Sequence, residues 1–172
     1  PGSLNLTGIW GSGANNIYVS LTSAYTTSNP TGRIVRFDGK SWDLEETLNI
    51  DAGPLSDNFG EALSNDGDRI VVGATGSSFS LTNQRGFGAP VYVFQHNGFE
   101  WLLEQQLTPT LDFPEILVYG TDVAIHKDVV IVAGREVVDL PTDNDKALGS
   151  EGRAYLFRHD GVSWIHEATL TA

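Results

Sequence analysis

The feature that most constrains the fold is a short stretch that occurs three times along the chain. Trp42, Trp101 and Trp164 lie 59 and 63 residues apart, and each begins the pattern Trp-x-x-Glu-x-x-Leu. The remaining residues of the pattern are Glu45 and Leu48, Glu104 and Leu107, and Glu167 and Leu170. A fixed period of tens of residues indicates that one structural unit is repeated and that neighbouring units bury a shared core. The chain is therefore expected to contain three copies of one unit.

Each of these tryptophans follows a sequence that favours a β-hairpin turn. A small polar residue followed by glycine accepts the positive φ angles of a tight two-residue turn. Short strand patterns precede the turns and end in Phe37, Phe94 and Phe157. The turn pairs themselves are Asp38-Gly39, Asn97-Gly98 and Asp160-Gly161. Each unit is thus predicted to end in a hairpin.

Two further strand patterns lie upstream in each unit. The runs "NIYVSL", "RIVVGA" and "VVIVAG" are rich in β-branched residues, which suits strands that are covered on both faces. Before them, "TGIWGSG", "NFGEALSNDG" and "VYGTDVAIHKD" pair an aromatic residue with glycine, as expected of an innermost strand. We therefore expect an all-β chain that forms a β-propeller segment of three four-stranded antiparallel blades. A β-sandwich and a β-solenoid are the alternatives.

The repeat also sets the expected boundaries along the chain. Residues 4–52 are assigned to the first blade, residues 53–110 to the second and residues 111–172 to the third. Residues 1–3 read Pro-Gly-Ser and resemble the remnant of a tag, and methionine is absent, so the chain is expected to be processed, excised or tagged.

The charge and composition of the chain exclude several classes of partner. Its 22 acidic and 10 basic residues give a formal charge of −12, which repels nucleic-acid phosphates and anionic lipids. Its apolar runs are strand-sized and shorter than the roughly 18 residues that a membrane helix needs. With no cysteine, the chain forms neither a disulfide nor a thiolate metal site. We expect neither nucleic-acid binding nor membrane insertion.

Pairs of an aromatic residue with glycine, and of glycine with alanine, carry a family resemblance. The second unit has Phe59-Gly60, Gly73-Ala74 and then "VYVF", and the third has Tyr119-Gly120 and Ala133-Gly134. The first unit is looser, with Trp10-Gly11 and no Gly-Ala pair. On these residues the chain resembles the FG-GAP repeat family of integrin α-subunit propellers and of many bacterial surface and secreted proteins. The resemblance implies a propeller and an extracellular or cell-surface location, but propellers host many unrelated activities.

The resemblance to this family suggests calcium as a candidate cofactor. In that family it often binds between the first two strands through the pattern Asp-x-Asp-x-Asp-Gly-x-x-Asp, because calcium needs six or more oxygen ligands. Here "SNDGDR" matches the pattern only at Asp66-Gly67, so Asp66 and Asp68 are expected to be turn residues. We expect no cofactor, with calcium at Asp143 and Asp145 of the acidic stretch "PTDNDKALGSEG" as the alternative.

The connections between the second and third strands are the expected binding site. They are long in every unit, and strand direction places all three at one end of the blades. Long loops that a compact fold does not need for closure often bind ligands, although tolerated insertions are the alternative. The aromatic and charged residues expected to bind a ligand there are Tyr25, Phe79, Arg85, Phe87, Arg135, Asp143 and Asp145.

No catalytic constellation is predicted. His96 and His159 occupy equivalent places beside two hairpin turns, so they are expected on separate blades rather than as ligands of one metal. Glu45 and Glu46 are neighbours on one strand and are expected to point to opposite faces, which does not suit joint acid and base chemistry. The repeated tryptophans are expected to pack between blades, with stacking on sugar rings as the alternative.

These patterns favour a non-catalytic extracellular or surface module for binding or adhesion, with a protein or glycan as its ligand. The alternatives are a carbohydrate-binding lectin assembled from several chains and a purely architectural propeller within a larger secreted protein. In each case further blades of the same polypeptide, or a homo-oligomer, are expected to complete the propeller.

Overall fold

The computed structural model describes residues 4–23, 32–48, 59–74, 91–110, 117–140 and 147–171. These residues form twelve β-strands and no helix, which confirms the all-β prediction. The described part of the chain accordingly holds no helix long and apolar enough to cross a membrane. The strands are β1 (Leu4–Gly13), β2 (Asn16–Ser23), β3 (Gly32–Phe37), β4 (Trp42–Leu48), β5 (Phe59–Asp66), β6 (Arg69–Ala74), β7 (Val91–His96), β8 (Trp101–Leu107), β9 (Leu117–His126), β10 (Val129–Leu140), β11 (Ala147–His159) and β12 (Trp164–Thr171).

The strands form three four-stranded antiparallel sheets in chain order. Sheet I contains β1 to β4, sheet II contains β5 to β8 and sheet III contains β9 to β12. Within each sheet, strands that are consecutive in the chain pair with each other. We call the end that holds the first-to-second and third-to-fourth strand connections the turn end, and the opposite end the link end. The four strands predicted for each unit are therefore present.

The hairpin turns before the repeated tryptophans differ from the prediction. Four residues, not two, separate the last two strands of each sheet, and only the glycine has a positive φ, as at Gly161 with 101°. The Oδ1 atom of Asp160 accepts hydrogen bonds from the amides of Val162 and Ser163, both at 2.8 Å. Backbone hydrogen bonds from Ser163 and Val162 also lower the pKa of Asp160. Asp38 and Asn97 accept equivalent hydrogen bonds. In each turn the side chain of the first residue therefore bonds the backbone amides of the third and fourth residues.

The glycine of the aromatic-Gly pairs lies in a β-bulge of the first strand. Gly60 and Gly120 have φ angles of 92° and 84°, at register shifts within β5 and β9. Strand register places Leu6 of sheet I, opposite Leu21, where Phe59 and Tyr119 stand in the other sheets. The predicted equivalence of Trp10-Gly11 with these pairs is therefore wrong, because the aromatic-Gly order occurs at a different register position in β1.

The glutamate of the Trp-x-x-Glu pattern also lies at a bulge. In each sheet the register between the last two strands skips one residue, and that residue is Glu45, Glu104 or Glu167. Strict alternation of side chains fails at a bulge, so the argument that placed Glu45 and Glu46 on opposite faces does not hold there. Their side chains lie outside the described ones.

Two apolar clusters join the sheets face to face. The cluster between sheets I and II includes Tyr18, Ile34 and Trp101. The cluster between sheets II and III includes Val71 and Trp164. Strand β6 contributes to both clusters and is buried on both faces, as its unbroken β-branched run predicted.

The sheets approach one another most closely at their first strands. Strand β1 contacts β5, and both β5 and β6 contact β9. A Cβ atom added to Gly73 of sheet II would collide with the carbonyl oxygen of Gly120 of sheet III. The glycine pairs of the two sheets therefore allow direct contact between their backbones.

Candidate functional site

One of the seven predicted binding residues lies in the described part of the chain. Arg135 is exposed and lies in β10, where it pairs with Gly152 of β11 and Val118 of β9. The prediction that placed Arg135 in a loop is therefore wrong, because β10 continues to Leu140. The other six predicted residues, Tyr25, Phe79, Arg85, Phe87, Asp143 and Asp145, lie outside the described residues.

Strands β10 and β11 continue past the rest of sheet III as a two-stranded arm. Pairing between these strands reaches Leu140 and Ala147, beyond the last pairs of β9 and β12 with them. Part of the predicted third loop is thus paired strand. At the base of the arm, Arg153 Nη2 lies 2.9 Å from Glu151 Oε2, and the Glu151 side chain is 54% exposed. The link end therefore carries a projecting arm with charged side chains at its base.

A polar cluster joins sheets II and III at the last strand of sheet II. Arg69 Nε and Nη2 donate to the two carboxylate oxygens of Glu104, both at 2.9 Å. The indole Nε1 of Trp164, on sheet III, donates to Glu104 Oε2 at 3.2 Å. Gln105 exchanges two hydrogen bonds of 2.8 Å with the backbone of Trp164. The glutamate of the second repeat thus accepts a hydrogen bond from the tryptophan of the third repeat.

Sequence reasoning missed this role of the glutamate. It predicted that the tryptophans pack between blades, and Trp101 and Trp164 are 6% and 4% exposed. Trp101 meets Tyr18 of sheet I edge to face, with the ring centroids 6.2 Å apart. The repeated Trp-x-x-Glu spacing was the available signal, but it does not reveal that the two residues bond across sheets. Trp42 departs from this pattern, since it is 51% exposed and packs on Phe37 of its own sheet.

The electrostatics of this cluster favour the charged form of Glu104. Burial alone would raise the pKa of Glu104, but hydrogen bonds from Arg69 and Trp164 and the Arg69 charge outweigh it, so the pKa is lowered. The hydrogen bond to Glu104 in turn raises the pKa of Arg69. The cluster is therefore an ion pair that stabilises the packing of two sheets.

The ion pair predicts a specific loss of stability in acid. The pKa of Glu104 is lower in the folded than in the unfolded state, so its contribution is complete above the unfolded value of about 4.3 and is lost as the pH falls through the folded value. Glu104→Gln is expected to lower the free energy of unfolding by about 2 kcal/mol at pH 7. The free energy of unfolding of this variant should also decrease less than that of the unaltered chain as the pH is lowered from 6 to 3. Urea denaturation across this pH range is the measurement.

Glu100→Gln, in an exposed turn of the same sheet, is the matched control and should leave the pH profile nearly unchanged. Identical profiles for Glu104→Gln and the control would contradict the assigned ion pair.

The histidines beside the turns occupy equivalent places, as predicted. His96 packs on Trp101 with ring centroids 4.9 Å apart, and His159 packs on Trp164 at 5.1 Å. In the described ranges, no group of three or more His, Asp or Glu residues is placed to hold a metal ion.

The two aspartates considered for calcium have structural contacts instead. Asp66 Oδ2 accepts the backbone amide of Lys127 at 2.5 Å and lies 3.4 Å from His126 Nδ1, which connects sheet II to sheet III. Asp68 lies in the turn between β5 and β6 and accepts a 3.2 Å hydrogen bond from Gln95. The turn role predicted for Asp66 is therefore incomplete, because this carboxylate also bonds the neighbouring sheet.

No protein-family profile, curated protein or solved structure matches this chain. The resemblance to the FG-GAP repeat family therefore stays a prediction from the sequence.

Proposed function

We propose that the chain is a segment of an FG-GAP-like β-propeller that acts as a non-catalytic binding or adhesion module, extracellular or at a cell surface. The observation that carries the proposal is the arrangement of the sheets. Three meandering four-stranded sheets pack face to face in chain order, with their first strands closest together. This is the arrangement expected of successive propeller blades around a central axis.

The link end is the proposed binding surface. The connecting ranges 24–31, 75–90 and 141–146 leave the sheets at this end, and so do 49–58 and 111–116. At the turn end the longest connection in the described part of the chain has four residues. Variation in loops on a rigid scaffold is the usual way in which one fold acquires a ligand. Arg135 and the arm of β10 and β11 are described parts of this surface.

Two of the three repeated tryptophans are closed to a sugar ligand. Trp101 and Trp164 are closed off between sheets, so a sugar ring in solvent cannot stack on them. The lectin alternative then rests on Trp42, which is 51% exposed, and on other aromatic residues, among them Tyr25, Phe79 and Phe87. A purely architectural propeller remains the alternative without any ligand.

The binding proposal is tested by replacing residues 75–90 with a short Gly-rich turn. Gly73 pairs with Val91 across β6 and β7, so a tight turn can join the two strands. The labelled protein is applied to a glycan array and to an array of extracellular proteins. We expect an extracellular protein to be bound and the shortened variant to lose at least about tenfold in affinity.

Phe99→Ser is the matched control, since Phe99 is 94% exposed at the turn end. It should bind as the unaltered chain does. Loss of binding in Phe99→Ser together with full binding by the shortened variant would place the site at the turn end and contradict the proposal. Binding to glycans alone would support the lectin alternative instead.

A further inference from the structure

Asn97 is the one asparagine in the sequence that is followed by glycine. Asn97 and Gly98 are exposed in the turn between β7 and β8, where Gly98 has a φ of 99°. The backbone nitrogen of the residue after an asparagine can close a five-membered succinimide ring on the side-chain carbon Cγ. Glycine has no Cβ to hinder this approach. The pair is therefore a candidate site at which the chain modifies itself.

His96 offers a base for this reaction. The backbone N–H of Gly98 donates to His96 Nδ1 at 3.3 Å, so Nδ1 carries no proton and faces the amide that has to lose one. The imidazole ring also packs on Trp101, with the ring centroids 4.9 Å apart, which holds it beside the turn. A base that already accepts a hydrogen bond from the group it deprotonates meets the first requirement of general-base catalysis.

Two backbone amides contact the oxygen on which negative charge would develop. Asn97 Oδ1 accepts hydrogen bonds from the amides of Phe99 at 2.9 Å and Glu100 at 3.0 Å. Attack on Cγ converts this carbonyl oxygen into an oxyanion, which fixed N–H donors stabilise more strongly than a neutral carbonyl. Five consecutive residues thus supply a nucleophile, a base and an oxyanion site.

The equivalent turns of the other two sheets each lack part of this arrangement. In sheet III, Gly161 donates to His159 Nδ1 at 3.2 Å, but the turn begins with Asp160. In sheet I the turn begins with Asp38, and Phe37 stands in the place of the histidine. Backbone hydrogen bonds lower the pKa of both aspartates, and a carboxylate resists nucleophilic attack because it already carries a negative charge. Of the three turns, only the one in sheet II combines an uncharged carboxamide with a histidine.

We propose that Asn97 deamidates through a succinimide, with His96 as the general base. His96 Nδ1 takes the proton of the Gly98 amide, and the Gly98 nitrogen forms a bond to Asn97 Cγ. The tetrahedral intermediate collapses by breaking the bond between Cγ and Nδ2, and Nδ2 takes up the proton and leaves as ammonia. Water then opens the succinimide at either carbonyl and yields aspartate or isoaspartate.

The reaction alters the turn that leads into Trp101. It adds one negative charge at position 97, and in isoaspartate the backbone passes through the former side chain. The hydrogen bonds from Phe99 and Glu100 to Asn97 Oδ1 are then lost. The inference does not depend on the proposed function, because it concerns the turn end and not the link end.

Peptide mass spectrometry of the 172-residue chain, stored folded at neutral pH, tests the proposal. We expect the peptide that contains Asn97 to gain about 1 Da within days, as its amide becomes a carboxyl group, while peptides from the other two turns keep their mass. His96→Phe retains an aromatic ring beside Trp101, as Phe37 lies beside Trp42, and should slow the reaction at least about tenfold. Free imidazole should restore part of the lost rate.

His159→Phe makes the same change in sheet III and is the matched control, which should leave the rate at Asn97 unchanged. Equal rates for His96→Phe and this control would overturn the inference, and so would an Asn97 peptide of constant mass over several weeks. The unaltered chain supplies a further test without any variant. In urea the histidine and the two amides no longer surround Asn97, so deamidation should be slower than in the folded chain. An equal or faster rate in urea would also overturn the inference.

Discussion

Replacing Trp101 with alanine is expected to lower the free energy of unfolding by about 3–5 kcal/mol, as truncation of large buried aromatics does. Trp101 is 6% exposed and belongs to the apolar cluster shared by sheets I and II. Its ring contacts Tyr18 on sheet I and His96 on its own sheet. The alanine variant leaves a cavity between two sheets, and urea denaturation followed by circular dichroism measures the loss.

Phe99→Ala, two residues away in the chain, is the matched control. Phe99 is 94% exposed in the turn before Trp101, so its removal should change the free energy of unfolding by no more than about 0.5 kcal/mol. Equal stability of Trp101→Ala and the unaltered chain would show that Trp101 does not pack between sheets. Loss of glycan binding in such a stable variant would make Trp101 a sugar-binding residue.

Features that depend on neighbouring residues were predictable from the sequence. Runs such as "RIVVGA" specify strands through β-branched side chains, and the pair Asn97-Gly98 specifies a turn through a side-chain acceptor and a positive φ. The order of four strands in each unit followed from the spacing of these signals. The length of the turn did not, because a four-residue loop and a two-residue loop can share the same Asx-Gly start.

Features that depend on cross-strand register were not predictable. The bulge at Glu104 exists because the pairing of β7 with β8 skips one residue. No local conformational preference of glutamate predicts a bulge at this position. The assignment of Trp10 failed for a similar reason, since an aromatic-Gly pair in β1 stands four residues after Leu6, the true equivalent of Phe59. Strand β10 continued past Arg135 because its pairing with β11 persists to Leu140.

The candidate site was predictable only in its general location. Strand direction placed the long connections at one end, and Arg135 lies on the strand that leads into the third of them. The contact between Glu104 and Trp164 joins residues 60 apart in the chain and requires two sheets at a defined distance. A single sequence gives the two residue types and their period, but not the separation of the sheets.

Replacing Gly73 with alanine is expected to cost about 3 kcal/mol, at the upper end of the usual range for overpacking a well-packed core. The added Cβ would collide with the carbonyl oxygen of Gly120 on the neighbouring sheet and would lie 3.2 Å from the Cβ of Ala62. Backbone atoms cannot move aside as a flexible side chain can, so the two sheets have to separate. Urea denaturation of the variant measures this cost.

The most direct test of the account is the difference in the free energy of unfolding between Gly73→Ala and Gly152→Ala. Both glycines lie in strands, but a Cβ added to Gly152 would meet nothing within 4 Å. If sheets II and III pack through direct backbone contact, Gly73→Ala should be less stable than Gly152→Ala by at least about 2 kcal/mol. Stabilities that agree within about 0.5 kcal/mol would contradict the close packing of successive sheets on which the account rests.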